Sequence, residues 1–124
     1  MHSSFRVWLR LEGLAVLIAA TLAYRHFHLP WLWLVILFFA PDLSMAGYLA
    51  GNQTGAWIYN LAHTYAAALT LLAIGLVTDH RALFGVGLIW CAHIGFDRVM
   101  GYGLKSPEGF RFTHLGKIGR DPKP

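Results

Sequence analysis

The chain has 124 residues, 56% of them hydrophobic and only 13% charged, with a mean hydropathy of +0.50. That length allows one domain, and a soluble domain would carry about 25% charged residues. A water-facing surface is therefore excluded, as are disorder, collagen-like repeats and coiled coil. A single cysteine, Cys91, excludes a disulfide framework and multi-cysteine zinc or iron–sulfur sites. What remains is an integral membrane protein.

A membrane-crossing helix needs ~20 mainly apolar residues, and the chain offers four such stretches. The first runs over about residues 5–24. Glu12 at the head of its apolar part, and Tyr24-Arg25-His26 where a small-residue cleavage site would lie, mark it as a retained helix rather than a signal peptide. The second, about 30–50, opens with Trp31 and Trp33, which suit an interfacial aromatic belt. Residues 51–55, Gly-Asn-Gln-Thr-Gly, read as a tight turn into a third span of about 56–77. Thr78-Asp79-His80-Arg81 forms the next turn, before a fourth span of about 82–104 and a tail over 105–124. Short loops between four spans predict an all-α, up-and-down four-helix bundle in a single domain. Gly47, Gly85, Gly87 and Gly95 supply small surfaces for close helix packing or for a homo-oligomer interface.

The net charge of +4 is explained by position. Arg6, Arg10, Lys105, Arg111, Lys117, Arg120 and Lys123 fall on one side, with Arg98 near it, against Arg25 and Arg81 on the other. The positive-inside rule puts both termini in the cytoplasm. In the tail, Phe110, Phe112, Leu115 and Ile118 are interspersed with Arg111, Lys117 and Arg120. It is expected to be amphipathic and to lie against anionic headgroups, which displace nucleic acid as the partner.

Ionisable side chains inside a membrane are costly and mark functional sites by default. Here they are Glu12, Asp42, His63, His93 and Asp97, with Asn60 beside them. Asn60 and His63 are three residues apart, and His93 and Asp97 four, so each pair is expected on one helix face. At 1.5 Å per residue, Asp42, Asn60, His63, His93 and Asp97 all fall roughly 9–15 Å into their spans from the same side, with Glu12 shallower. Pro41 removes a backbone hydrogen bond in mid-span and predicts a kink just before Asp42. Asp42 and Ser44 point apart on a regular helix.

Five stretches together resemble one small bacterial membrane family, domain of unknown function 4260. They are Pro41-Asp-Leu-Ser-Met-Ala-Gly-Tyr-Leu-Ala-Gly51, Tyr59-Asn-Leu-Ala-His-Thr-Tyr65, Trp90-Cys-Ala-His-Ile-Gly-Phe-Asp-Arg98, Gly101-Tyr-Gly-Leu-Lys105 and Thr113-His-Leu-Gly-Lys-Ile-Gly119. The resemblance extends over nearly the whole chain, from Arg10-Leu-Glu-Gly13 onward. It implies a small integral membrane protein and carries no activity, substrate or cofactor.

The chemistry of the polar layer supports several functions. The sharpest is a divalent metal site for zinc, iron or manganese, with His63, His93, Asp97 and Asp42 as ligands and Glu12 or Asn60 in support. Asn-x-x-His and His-x-x-x-Asp do not match the Glu-x-x-His pattern of di-iron bundles, so a mononuclear, hydrolytic-type site fits better. In this role Asp42, His63 and Asp97 are the catalytic candidates of a small membrane enzyme acting on a lipid-like or amphipathic substrate. A metal-free alternative has His63 or His93 with Asp97 or Asp42 as acid and base, and Ser44 as nucleophile. Haem between His63 and His93 is a further reading, made less attractive by the carboxylates at the same depth. A proton pathway would use the same set. The non-enzymatic reading is a polar cluster that fastens the helices together or supports an oligomer. Arg98 is about 100° round the helix from Asp97 and is expected to face elsewhere, snorkelling to the inner surface as an interface anchor or as a contact to a headgroup phosphate or a carboxylate. His114, in the tail, has two readings: an interfacial or solvated residue, which is favoured, and a further ligand or acid/base group covering the mouth of the polar cavity.

Overall fold

Two of the four spans are continuous helices and two are interrupted, and the interruptions are what assemble the polar layer. The computed structural model describes residues 3–102 and the strand segments 105–106, 109–113 and 116–117. Among these, the segments Ser4–His26, Trp31–Ala50, Asn52–Val77 and Arg81–Val99 are long and apolar enough to cross a membrane. The first and last are the unbroken helices α1 (Ser3–His26) and α5 (Arg81–Val99). The second consists of α2 (Trp31–Leu37) followed by a 3-10 helix (Ala40–Ala50), and the third of α3 (Asn52–Ala62) followed by α4 (Tyr65–Val77).

With eleven of its 19 residues buried, α5 is the centre of the bundle. Helix α1 packs along one side of it and α4 along another. Small residues set both approaches. A Cβ added at Gly95 would lie 2.6 Å from the Gly13 carbonyl oxygen and 2.9 Å from the Leu17 nitrogen, and one at Gly87 would lie 2.7 Å from Leu72 Cα. The backbones therefore touch, as in close membrane-helix packing. Outward, Trp8, Leu22, Leu32, Val35, Leu49 and Leu69 are exposed, which is the surface a hydrocarbon solvent requires.

The helix ends are closed locally. After α1, the His28 N–H bonds the Arg25 carbonyl (3.0 Å) and the Leu29 N–H bonds the Tyr24 carbonyl (3.2 Å). After α4, the Asp79 N–H bonds Leu76 (3.4 Å) and the His80 N–H bonds Gly75 (2.8 Å). Both are Schellman turns, with His28 (φ 52°) and Asp79 (φ 53°) in the left-handed position usually held by glycine. Arg81 ties the first turn down by donating to the carbonyls of Phe27 (2.9 Å) and His28. His80 Nδ1 accepts the Leu83 N–H (3.2 Å) and so caps α5. Between the second and third spans, Gly51 alone makes the turn at φ 115°, and Asn52 already begins α3. The five-residue turn expected there is thus one residue long, because glycine reverses the chain without steric cost.

The fourth span stops at Val99, five residues before the position expected from hydropathy. Beyond it, β1 (Lys105–Ser106), β2 (Gly109–Thr113) and β3 (Gly116–Lys117) form an antiparallel sheet in the order β1-β2-β3, with Phe112 opposite Lys117. The bundle is all-α as expected. The tail, expected only to be amphipathic, adds this small sheet beside α3.

Candidate metal centre

Three local features bring four side chains to one point. Helix α5 carries His93 and Asp97 four residues apart, so the two stand one above the other on a single face. Pro41 has no N–H to give, and the second span tightens there from α to 3-10 geometry, with the Asp42 N–H bonding the Phe39 carbonyl at 3.0 Å. This turn aims Asp42 inward. The third span breaks at His63 (φ −115°, ψ 18°) and Thr64 (φ −101°, ψ 137°), which lets the His63 ring swing toward α5.

A break inside a membrane leaves carbonyls that must find donors. Both come from α5. The Trp90 indole N–H donates to the Ala62 carbonyl, and the Arg98 guanidinium donates to the His63 carbonyl at 3.1 Å. Arg98 also donates to the Tyr102 carbonyl (3.3 Å) and lies over the Tyr65 ring, 5.6 Å from its centre. It is buried, so the expected turn toward a headgroup does not occur. The broken backbone of the third span offers the guanidinium a nearer acceptor than the membrane surface does.

The four donor atoms are tightly spaced. His63 Nε2 lies 3.1 Å from Asp42 Oδ1, 3.2 Å from His93 Nε2 and 3.3 Å from Asp97 Oδ2. His93 Nε2 lies 3.2 Å from Asp42 Oδ1 and 3.3 Å from Asp97 Oδ2. The sixth separation, between the carboxylates, is within 4.8 Å. A regular tetrahedron of ligands about 2.0–2.1 Å from a zinc ion has edges of roughly 3.3–3.4 Å. Five of the six edges therefore match tetrahedral coordination to within a few tenths of an ångström.

Hydrogen bonding sharpens the point. His63 Nδ1 donates to the Tyr59 carbonyl at 2.9 Å, since a carbonyl can only accept. In the neutral ring this leaves the Nε2 lone pair directed at two carboxylate oxygens and the second imidazole. Such an outer N–H to a backbone carbonyl is the usual support of a metal-bound histidine. The Tyr59 ring also stacks on the His63 ring, 3.8 Å centre to centre and 8° from parallel. His93 Nδ1 is buried without a hydrogen bond among the described residues. Phe38 and Phe39 stand edge-on to its ring at 5.5 and 6.0 Å, and Phe96 packs on both phenylalanines. This wall is therefore apolar, and Asp42, with a side chain 29% exposed, is the open side.

The remaining candidates lie elsewhere. Glu12 is exposed on α1 and does not join the four, although its neighbour Gly13 faces α5. Asn60 is half-buried and lines a groove with Trp57, Ile58, Leu61 and Thr64. Ser44 Oγ is buried without a hydrogen-bond partner among the described residues, so it is not hydrogen-bonded to either histidine. His114 lies outside the described residues. Tyr59, which orients His63, escaped the sequence reading, and its only signal is the four-residue spacing Tyr59-x-x-x-His63.

A family model described as Domain of unknown function (DUF4260) matches residues 6–118. No curated protein and no solved structure matches the chain.

Proposed function

From the premise that the chain belongs to the DUF4260 family, a domain of unknown function, we propose that it is a small metal-dependent membrane enzyme. Its centre is a mononuclear divalent metal site held by Asp42, His63, His93 and Asp97. The observation that carries this is the set of 3.1–3.3 Å separations among four inward-facing acceptor atoms. Protons serve this arrangement poorly. Two imidazolium rings would point N–H groups at each other across 3.2 Å, and a single shared proton would leave two carboxylates with one positive charge between them. One divalent ion neutralises both carboxylates and satisfies all four lone pairs. Two imidazoles and two carboxylates suit zinc, iron or manganese, and the near-tetrahedral edges favour zinc.

A divalent ion at such a site supplies Lewis acidity and acidifies water. His93 and Asp97 hold the inner side from rigid α5, and Tyr59 fixes the tautomer and plane of His63. Asp42, the partly exposed member of the four, is the ligand that would yield its position to water or substrate, leaving His63, His93 and Asp97 on the ion, and its freed carboxylate would accept the proton. The apolar surroundings favour a lipid-like substrate reaching the site from the bilayer. Both chain termini are assigned to the cytoplasmic face, with the basic tail against anionic headgroups. Haem fits badly, because axial nitrogens about 2 Å from the iron on opposite sides stand about 4 Å apart. Here they are 3.2 Å apart, with two carboxylates where the porphyrin plane would pass.

The test is elemental analysis of protein purified in detergent without chelator. One equivalent of metal per chain is expected, lost in His63→Ala and His93→Ala and reduced in Asp97→Asn. Wild-type protein that stays metal-free after incubation with zinc, iron and manganese would overturn the proposal.

A further inference from the structure

One face of α5 continues past the metal centre into an apolar cavity. Val86, Ile89 and Trp90 precede His93 by seven, four and three residues, and Asp97 follows it by four, so all five share a face. Val86, Ile89 and Trp90 line a cavity of about 210 Å³ together with Pro41 and Ala62. Pro41 adjoins Asp42 in sequence and Ala62 adjoins His63, so the cavity wall is built from the residues beside the donors. The Trp90 indole N–H is already engaged by the Ala62 carbonyl, which leaves the cavity no free side-chain donor from these residues.

Resting on the metal-centre reading, we infer that this cavity holds one unbranched alkyl chain of the substrate, whose polar end reaches the four donors. Volume and length agree on its size. At roughly 30 Å³, the share of one water molecule in the liquid and close to that of a methylene, the cavity takes about seven carbons. Seven residues of helix from Val86 to His93 span ~10 Å, about the length of an extended chain of that many carbons. A fused-ring lipid exceeds the space.

Direction agrees as well. Arg10 Nε donates to the Val99 carbonyl at 2.8 Å, so the N-terminal half of α1 stands beside the Asp97 end of α5. A lipid in the leaflet on that side has its headgroup at that end and its tail pointing to the bilayer middle. The donors lie nearer the headgroup and Val86 lies nearer the tail.

The experiment uses full-length protein in phosphatidylcholine nanodiscs, with Trp8, Trp31, Trp33 and Trp57 changed to Phe so that Trp90 alone emits. Four-carbon and eight-carbon ω-bromoalkyl carboxylates are titrated, since bromine quenches a neighbouring indole. Saturable quenching by the eight-carbon probe is expected. Val86→Phe should weaken it at least ~10-fold while leaving the four-carbon probe unaffected and the metal content unchanged. Ile89→Phe serves as the second filling variant if Val86→Phe does not fold. Quenching that rises linearly with probe and is the same in both filling variants would overturn the inference. The titration is repeated after chelation. Saturable quenching in a chain that never binds metal would retain the cavity and overturn the metal centre alone. In cobalt-loaded protein the eight-carbon carboxylate should shift the visible spectrum and 1-bromooctane should not. An identical spectrum with both would overturn the placement of the polar end.

Discussion

Gly95→Ala and Gly85→Ala place the same methyl group on the same helix in opposite surroundings. At Gly95 the new Cβ lies 2.6 Å from a carbonyl oxygen and 2.9 Å from an amide nitrogen of α1, both backbone atoms that no rotamer change can move. At Gly85 its nearest neighbours are Leu29 Cδ1 at 3.5 Å and Cδ2 at 3.6 Å, an ordinary contact. Both substitutions gain the same helix preference of Ala over Gly, about 1 kcal/mol, and that gain cancels in the comparison. The difference is then the overpacking cost, ~1–3 kcal/mol, with the upper half expected because α1 must move as a body by about half an ångström or more. Reversible unfolding in mixed micelles measures it. Gly95→Ala should unfold ~2–3 kcal/mol more easily than Gly85→Ala. Gly95 also lies between His93 and Asp97, so metal affinity should fall with stability in Gly95→Ala only. Equal stabilities, within about 0.5 kcal/mol, would refute the claim that α1 and α5 meet backbone to backbone.

Arg98→Lys keeps the charge but loses the planar fork, so the His63 carbonyl is left poorly paired. A stability loss of ~1–3 kcal/mol and a roughly 10–100-fold weaker metal affinity are expected in unfolding and competition titrations. Trp90→Phe removes the donor that the Ala62 carbonyl has among the described residues and should cost ~1–3 kcal/mol in the same unfolding assay. Chelation should lower wild-type stability by ~2.7 kcal/mol relative to protein with metal at 100 times its dissociation constant, and should leave the His63→Ala, His93→Ala double variant unchanged. Pro41→Ala restores an N–H and permits α geometry to continue. Its metal affinity should fall while overall stability holds or rises, as read by competition titration and thermal unfolding.

The four converging residues were legible because charge in hydrocarbon is rare enough to stand out in one sequence, and because Pro41 and the 93/97 spacing each have a geometric meaning. Depth alone did not say which way a side chain faces. Glu12 sits near the right level, yet it points outward while its neighbour Gly13 contacts α5. Asn60 would share a face with His63 on an unbroken helix, but His63 has left helical geometry. The same hidden break misdirected the reading of Arg98, since nothing in Ala62-His63-Thr64-Tyr65 announces a chain interruption. No glycine or proline marks it, and it exists because α5 supplies donors for the freed carbonyls. In the tail, Phe110-Arg111-Phe112 alternates with a period of two, which is a strand pattern as much as an interfacial one.

The helix at the centre of the bundle, α5, is the last of the four spans in chain order and so the last to be made. Asp42 and His63 leave the ribosome before His93 and Asp97, and so do the carbonyls that Trp90 and Arg98 will satisfy. Until the last span arrives, Asp42 has only His63 beside it and the third span holds carbonyls whose donors lie on α5, and the fourth span is the least apolar of the set. Its insertion is therefore drawn by the partners already waiting for it as much as by lipid. Completion of the four-residue polar cluster and pairing of the broken third span converge on that single late step.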